Sequence, residues 1–214
     1  MTEYSIFDEI KEDLERQRLE ALWKKYGVFV IAAALAVVIG TAGSSVYHNW
    51  KTSRDLKLTG AYLSASDEGA NPAKDIAALQ EFADAHPGTN LSAFALLRAG
   101  AFAYDNGDMA KAVKLFDEAA TDGKADNAFR QLGTLLSVQA QMDKGDPAAL
   151  AARLQPLTAK NGTWRYAATE AQAYLALRAG DTAKAEKIFT GLAQDERAPR
   201  KMSERAADIL RSLN

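Results

Sequence analysis

Histidine, cysteine and paired carboxylates are the side chains that most often carry chemistry, and this 214-residue chain offers few of them in useful places. It has two histidines and no cysteine. His48 closes a long apolar run, and His86 stands in a His-Pro pair where a helix must end. Neither has the neighbours that a Ser-His-Asp arrangement or a two-histidine metal site requires. The absence of cysteine removes disulfides, thiolate nucleophiles, Fe–S ligation and cysteine zinc sites. Asp117/Glu118 and Asp195/Glu196 are adjacent in sequence, so on a helix they splay apart instead of converging on one bond. Glycines occur singly at turns, with no phosphate-cradling loop. The expectation is therefore no enzyme, no cofactor, no metal and no small-molecule substrate. A net charge of -2, from 26 basic and 28 acidic residues, with no basic run after residue 57, also argues against nucleic acid.

What is left is binding by surface, and the elements that would present it are repeats. Gly-Asp pairs occur at Gly107-Asp108, Gly145-Asp146 and Gly180-Asp181, spaced 38 and then 35 residues apart. Such a period belongs to helix-turn-helix solenoids. The glycine can take the left-handed conformation that ends one helix, and the aspartate can cap the next. Asp146-Pro147 adds a proline at the first helical position, where its missing N–H is harmless, and Asn71-Pro72 carries the same signal for an earlier unit. Aligned on the turns, Gly100, Ala112, Phe116 and Ala119 in one unit match Ala173, Ala185, Phe189 and Leu192 in the last. Small residues at a crossing and an aromatic where the pair closes are what tight helix packing needs. This pattern resembles the tetratricopeptide repeat.

The middle unit has Val138, Leu150, Leu154 and Leu157 in those places, which predicts a splayed pair or a longer turn. The earliest unit shows mainly Leu79, Phe82 and the terminating His86-Pro87. After Ala198-Pro199, the stripe Met202, Ala206, Ile209 and Leu213 predicts a terminal helix that covers the end of the stack. No alternating β-branched run suggests a strand.

Ahead of the repeats lies the uncharged apolar run Val28 to Tyr47. At about 1.5 Å per residue it covers roughly the 30 Å hydrocarbon core of a bilayer. Trp23, Tyr26, Tyr47 and Trp50 flank it, as amphipathic rings do at membrane interfaces. A buried core helix would carry a polar stripe, and only Thr41, Ser44 and Ser45 are polar here. A cleaved signal peptide has small residues available at Thr41 to Gly43, but the run is too long for a signal core and its leader is too acidic. An uncleaved signal anchor fits better. Five basic residues precede the span within reach of it and three follow, which places the N-terminus in the cytoplasm. Gly40 and Ser44 form a small-xxx-small step, either a seat for another helix or small residues tolerated against lipid.

The fold expected is therefore all-α: residues 1–27 cytoplasmic, one transmembrane helix over 28–47, and a tetratricopeptide-like hairpin solenoid with a C-terminal capping helix over 48–214. The acidic leader running through EALWKKYG into the span, VYHNWKTSRD after it, the degenerate repeats, NGTWRYAATEAQAYLALRAGD and the closing helix together resemble the YfgM-like ancillary subunits of the bacterial Sec translocon. That resemblance implies a single-pass type II protein of the bacterial inner membrane with a periplasmic repeat domain. It further implies partners among translocon subunits and membrane-anchored periplasmic chaperones that receive emerging client polypeptides.

By repeat phase, Phe94, Leu97, Ala101, Tyr104 and Asp105 of one unit and Glu170, Tyr174 and Arg178 of the last should line the inner face of the stack, where aromatic and Arg side chains anchor peptides. The Lys/Asn pattern that clamps a C-terminal carboxylate in some repeats is absent from these positions. The function expected is a non-catalytic, membrane-anchored scaffold holding a chaperone or client near the pore. The alternative is a cell-envelope assembly adaptor whose repeats bind a division or peptidoglycan enzyme.

Overall fold

The computed structural model describes residues 52–66 and 72–213. The expected span, Val28 to Tyr47, and the segment before it lie outside those residues. Among the described residues no helix is long and apolar enough to cross a membrane. The chain divides into two units, Met1–Lys57 and Leu58–Asn214. Of the first, residues 52–57 are described, helical and exposed.

The second unit contains no strand among its described residues. It opens with helical residues 58–65 (α1). There follow α2 (Pro72–Ala85), α3 (Asn90–Asp105), α4 (Met109–Thr121), α5 (Asn127–Ala140), α6 (Pro147–Leu154) running into a 3₁₀ turn (Gln155–Thr158), α7 (Arg165–Arg178), α8 (Thr182–Gln194) and α9 (Arg200–Leu213). Each helix packs mainly on its chain neighbours, α3 on α4, α4 on α5, α7 on α8 and α8 on α9. The chain thus zigzags through hairpins α1–α2, α3–α4, α5–α6 and α7–α8, and α9 closes the end. The expected all-α solenoid with a terminal helix describes this unit.

Capping chemistry explains why the helices start where they do. Asp108 accepts the Lys111 amide at 3.0 Å, Asp146 the Ala149 amide at 2.8 Å and Asp181 the Lys184 amide at 3.0 Å, each satisfying an amide that has no partner inside its helix. Gly107 and Gly180 take φ near 80° (80° and 79°). That left-handed residue brings the Asp108 and Asp181 amides back onto the Ala103 and Ala176 carbonyls, both at 2.9 Å. Gly145 departs from the expectation, because it is not among the glycines with positive φ. Residues 141–146 turn the chain instead, with the Gly145 amide on the Gln141 carbonyl at 2.8 Å. More chain is available there, so no left-handed residue is needed. The pair it joins, α5–α6, is packed more loosely than α3–α4 and α7–α8, as its larger crossing residues predicted.

The core runs as successive clusters. Ile76, Leu79 and Phe82 of α2 pack with Leu96 and Ala99 of α3 and Leu115 and Phe116 of α4. Leu135 and Val138 then meet Leu150, Leu154 and Leu157, and Phe189 and Leu192 meet Ala206 of α9. Met202 and Ile209 join that last cluster, half-buried, while Leu210 packs there in addition to the stripe read from sequence. At Gly133 α5 lies tightly against the α4 backbone. A Cβ there would lie 2.6 Å from the Phe116 carbonyl oxygen and 2.8 Å from the Ala120 nitrogen, so backbone faces backbone with no side chain able to yield.

Gly133→Ala should therefore lower stability by about 1–3 kcal/mol through overpacking, although alanine favours helix. Gly191→Ala, inside α8 with no atom near the added Cβ, should raise it by about 0.5–1 kcal/mol. Denaturant unfolding of the two variants followed by circular dichroism separates these outcomes.

Candidate functional site

The third helix carries most of the predicted surface. Phe94 is 41% and Tyr104 44% exposed, and Ala101 and Asp105 are exposed beside them. Leu97, placed on the same face by repeat phase, is packed in the core. Ala101, Tyr104 and Asp105 are brought together on one wall of a cavity of about 220 Å³, with Leu136, Gln139 and Ala140 of α5 opposite and Phe116 of α4 between them. Gly100 makes that arrangement possible. A Cβ at Gly100 would stand 2.5 Å from the Phe116 ring, so only glycine lets the ring lie beneath α3 and line the cavity.

Toward the start of α3 the same face continues as a file of rings. Tyr62 of α1 and Phe94 have centroids 5.7 Å apart, and Phe94 and Phe129 of α5 are 6.3 Å apart. Arg98 lies 5.4 Å over the Phe102 ring and donates to the Tyr62 hydroxyl at 3.4 Å. Rings from the first helices of three successive hairpins thus form one apolar strip leading to the cavity. The first pair is tilted and the second edge-on, and edge-to-face aromatic pairs add to the attraction from area alone.

The predicted residues of α7 have a different fate. Glu170, equivalent to Leu97 by turn alignment, is buried and accepts from Arg205 Nε at 2.6 Å and Nη2 at 2.7 Å. Its hydrogen bond, with Tyr174 contributing, holds the Arg205 guanidinium further above its already high range, and burial opposes the shift. Tyr174, equivalent to Ala101, is half-buried and edge-on to Phe189 at 5.4 Å. Arg178 stays exposed at the end of α7. The reason lies in the side chains: Tyr174 stands where α3 has Ala101 and packs on Phe189, and Arg205 of α9 reaches Glu170, so the surface that α3 leaves open is filled on α7. Nearby, the Asp195 carboxylate accepts the Arg197 amide at 2.9 Å, Arg165 Nη2 at 2.6 Å and the Tyr166 hydroxyl at 3.2 Å. The Arg197 amide is the main cause drawing that carboxyl below its ordinary value; burial opposes it, and Tyr166 and Arg165 add to the lowering.

Sequence reasoning missed Phe116, Leu136, Gln139 and Ala140. A signal for two of them exists: one repeat beyond Gly100 and Tyr104 lie Leu136 and Ala140. A second recess, about 260 Å³, lies where the α2–α3 turn meets the end of α4 and is lined by Asp84, Glu118 and Asp122. Among the described residues no three His, Cys, Asp or Glu side chains gather as metal ligands. The exposed cavity on α3 offers apolar walls, one carboxylate and one phenol, an arrangement for holding a chain.

The model of the tetratricopeptide repeat-like domain family matches residues 20–148, more than half of the sequence. Comparison with curated proteins and with solved structures gives no match.

The Glu170–Arg205 pair makes a stability prediction. Arg205→Met leaves a carboxylate buried without its partner, and with the Arg side chain half-exposed the loss should be about 1–3 kcal/mol. Combining it with Glu170→Met should recover most of that loss, as read by thermal unfolding of the single and double variants.

Proposed function

This chain belongs to the tetratricopeptide repeat-like domain family, and from that membership we propose that it is a membrane-anchored scaffold that grips polypeptides in the cleft between α3 and α5. Domains of this family are protein-interaction modules and generally non-catalytic. The cavity lined by Ala101, Tyr104 and Asp105 against α5 is the observation that carries the reading. Its walls combine exposed aromatic and small apolar side chains with hydrogen-bonding groups, the composition of a surface that holds an extended chain by its side chains.

The anchored part of the proposal rests on the sequence. The run Val28 to Tyr47, with its aromatic flanks, supports one inner-membrane span with residues 1–27 cytoplasmic and the repeats in the periplasm. The order of segments, which resembles the YfgM-like translocon subunits, supports a post beside the Sec pore. There the scaffold would hold emerging polypeptides and pass them to membrane-anchored chaperones. A tether suits that task because it raises the effective concentration of a weak binding surface at the site where clients appear.

The test is photo-crosslinking in cells from a benzoylphenylalanine placed at Tyr104. The expected captures are translocon subunits, periplasmic chaperones or exported polypeptides, and Ala101→Tyr, which copies the filled position of α7, should cut the yield several-fold. Capture of a division or peptidoglycan enzyme alone would favour the envelope-adaptor alternative. No specific product from Tyr104, with the chain intact in the membrane fraction, would remove the groove from consideration.

A further inference from the structure

We propose that the α3–α5 cavity selects a positively charged side chain flanked by apolar residues, so that the occupant is a basic segment of an extended polypeptide. The inference rests on the protein-binding reading above and adds the chemistry of what is bound. Three observations converge on it.

The lining residues hold a single charge, the exposed carboxylate of Asp105. α3 ends at Asp105 and α5 ends at Ala140, and both of those residues line the cavity. The cavity therefore lies against two helix C-termini, the ends that carry partial negative charge and favour cations. Carboxylate and dipoles act in the same sense.

The remaining walls suit the stem of such a side chain. Ala101, Phe116, Leu136 and Ala140 are apolar, and a lysine or arginine stem of several methylenes lies readily against such surface while its charged head reaches toward water. Tyr104, 44% exposed at the rim, presents a ring face and a hydroxyl to that head. Guanidinium over a tyrosine ring is a favourable cation–π arrangement. Arginine also matches the carboxylate with paired donors, which lysine does not.

The same chemistry is already used elsewhere in the molecule, at a different position along α7. There Arg205 of α9 inserts its guanidinium beside Tyr174 and pairs both oxygens of Glu170. The molecule thus already answers an acid and a tyrosine on the first helix of a hairpin with an arginine from the helix that follows the hairpin. Between α3 and α5 an acid and a tyrosine also meet, here the neighbouring Asp105 and Tyr104, and the described cavity lining supplies no arginine. An incoming chain would supply it.

The experiment uses the full-length chain in detergent micelles and a fluorescein-labelled Gly/Ser peptide with a central Leu-Arg-Leu, read by fluorescence anisotropy. Its control is the same peptide with citrulline, which keeps the shape of arginine and removes the charge. The arginine peptide should bind about five-fold more tightly than the citrulline peptide at low salt, the scale of a partly exposed ion pair, and the gap should shrink as salt rises. Asp105→Asn should erase the difference, and Ala101→Tyr should weaken both peptides. Equal binding of the two peptides, or a preference that survives Asp105→Asn, overturns the inference. So does crosslinking from Tyr104 to a second copy of this chain in place of a client. Should partners be captured from Tyr104 while charge selectivity is absent, the cation reading falls and the groove stands.

Discussion

Contacts in this protein recur one repeat apart, and that displacement is the constraint from which the rest follows. Tyr62 meets Arg98, Asn90 meets Asp126, Asp117 meets Arg153 and Ala128 meets Trp164, each pair separated by 36 residues. Glu170 and Arg205 are separated by 35. No single hairpin can bury its apolar face alone, so each uses the next one as its lid, and the polar bonds that lock successive hairpins fall at the repeat spacing. The Asn90 amide group shows how specific the lock is, donating to the Asp126 carboxylate at 2.5 Å and accepting its backbone amide at 2.8 Å. The bond from Trp164 Nε1 to the Ala128 carbonyl, at 2.8 Å, serves the same purpose one interface later.

Within that frame, side-chain size decides which interfaces are filled and which are open. Ala101 and Tyr174 occupy the same place on α3 and α7, yet the alanine leaves a cavity and the tyrosine packs edge-on to Phe189. Gly100 has the complementary effect, letting Phe116 reach under α3. The cleft is thus produced by two small residues on one helix, while the walls belong to three. A groove built from secondary-structure elements is rigid, which limits the ordering cost of binding.

Charge closes the stack at its C-terminal end. α9 occupies the place where a further hairpin would begin, and its half-exposed Arg205 pairs with the buried Glu170. Such a pair contributes more to register than to net stability, since desolvation offsets most of its attraction. The outer face of α9 is rich in exposed charge, with Arg200 paired to Glu204 and Arg211 to Asp208, so the stack ends in a polar surface.

The sequence alone determined the all-helical class, the turns and the helix caps, because these depend on local chemistry: an aspartate that caps, a glycine that turns left-handed, a proline at a first position. It also located the α3 surface, since helical phase fixes which side chains share a face. It misjudged the conformation of Gly145, where several residues shared the turn. It could not separate Leu97 and Glu170, which are buried, from Ala101, Tyr104 and Asp105, which are not, because phase is indifferent to what lies opposite. That was decided only when Arg205 of α9 reached Glu170 and Tyr174 packed on Phe189 of α8, while Ala101, Tyr104 and Asp105 were left at the open cleft between α3 and α5. Burial is a property of pairs of elements, and the residues forming the far wall of a groove lie one repeat away along the chain, where no local pattern points to them.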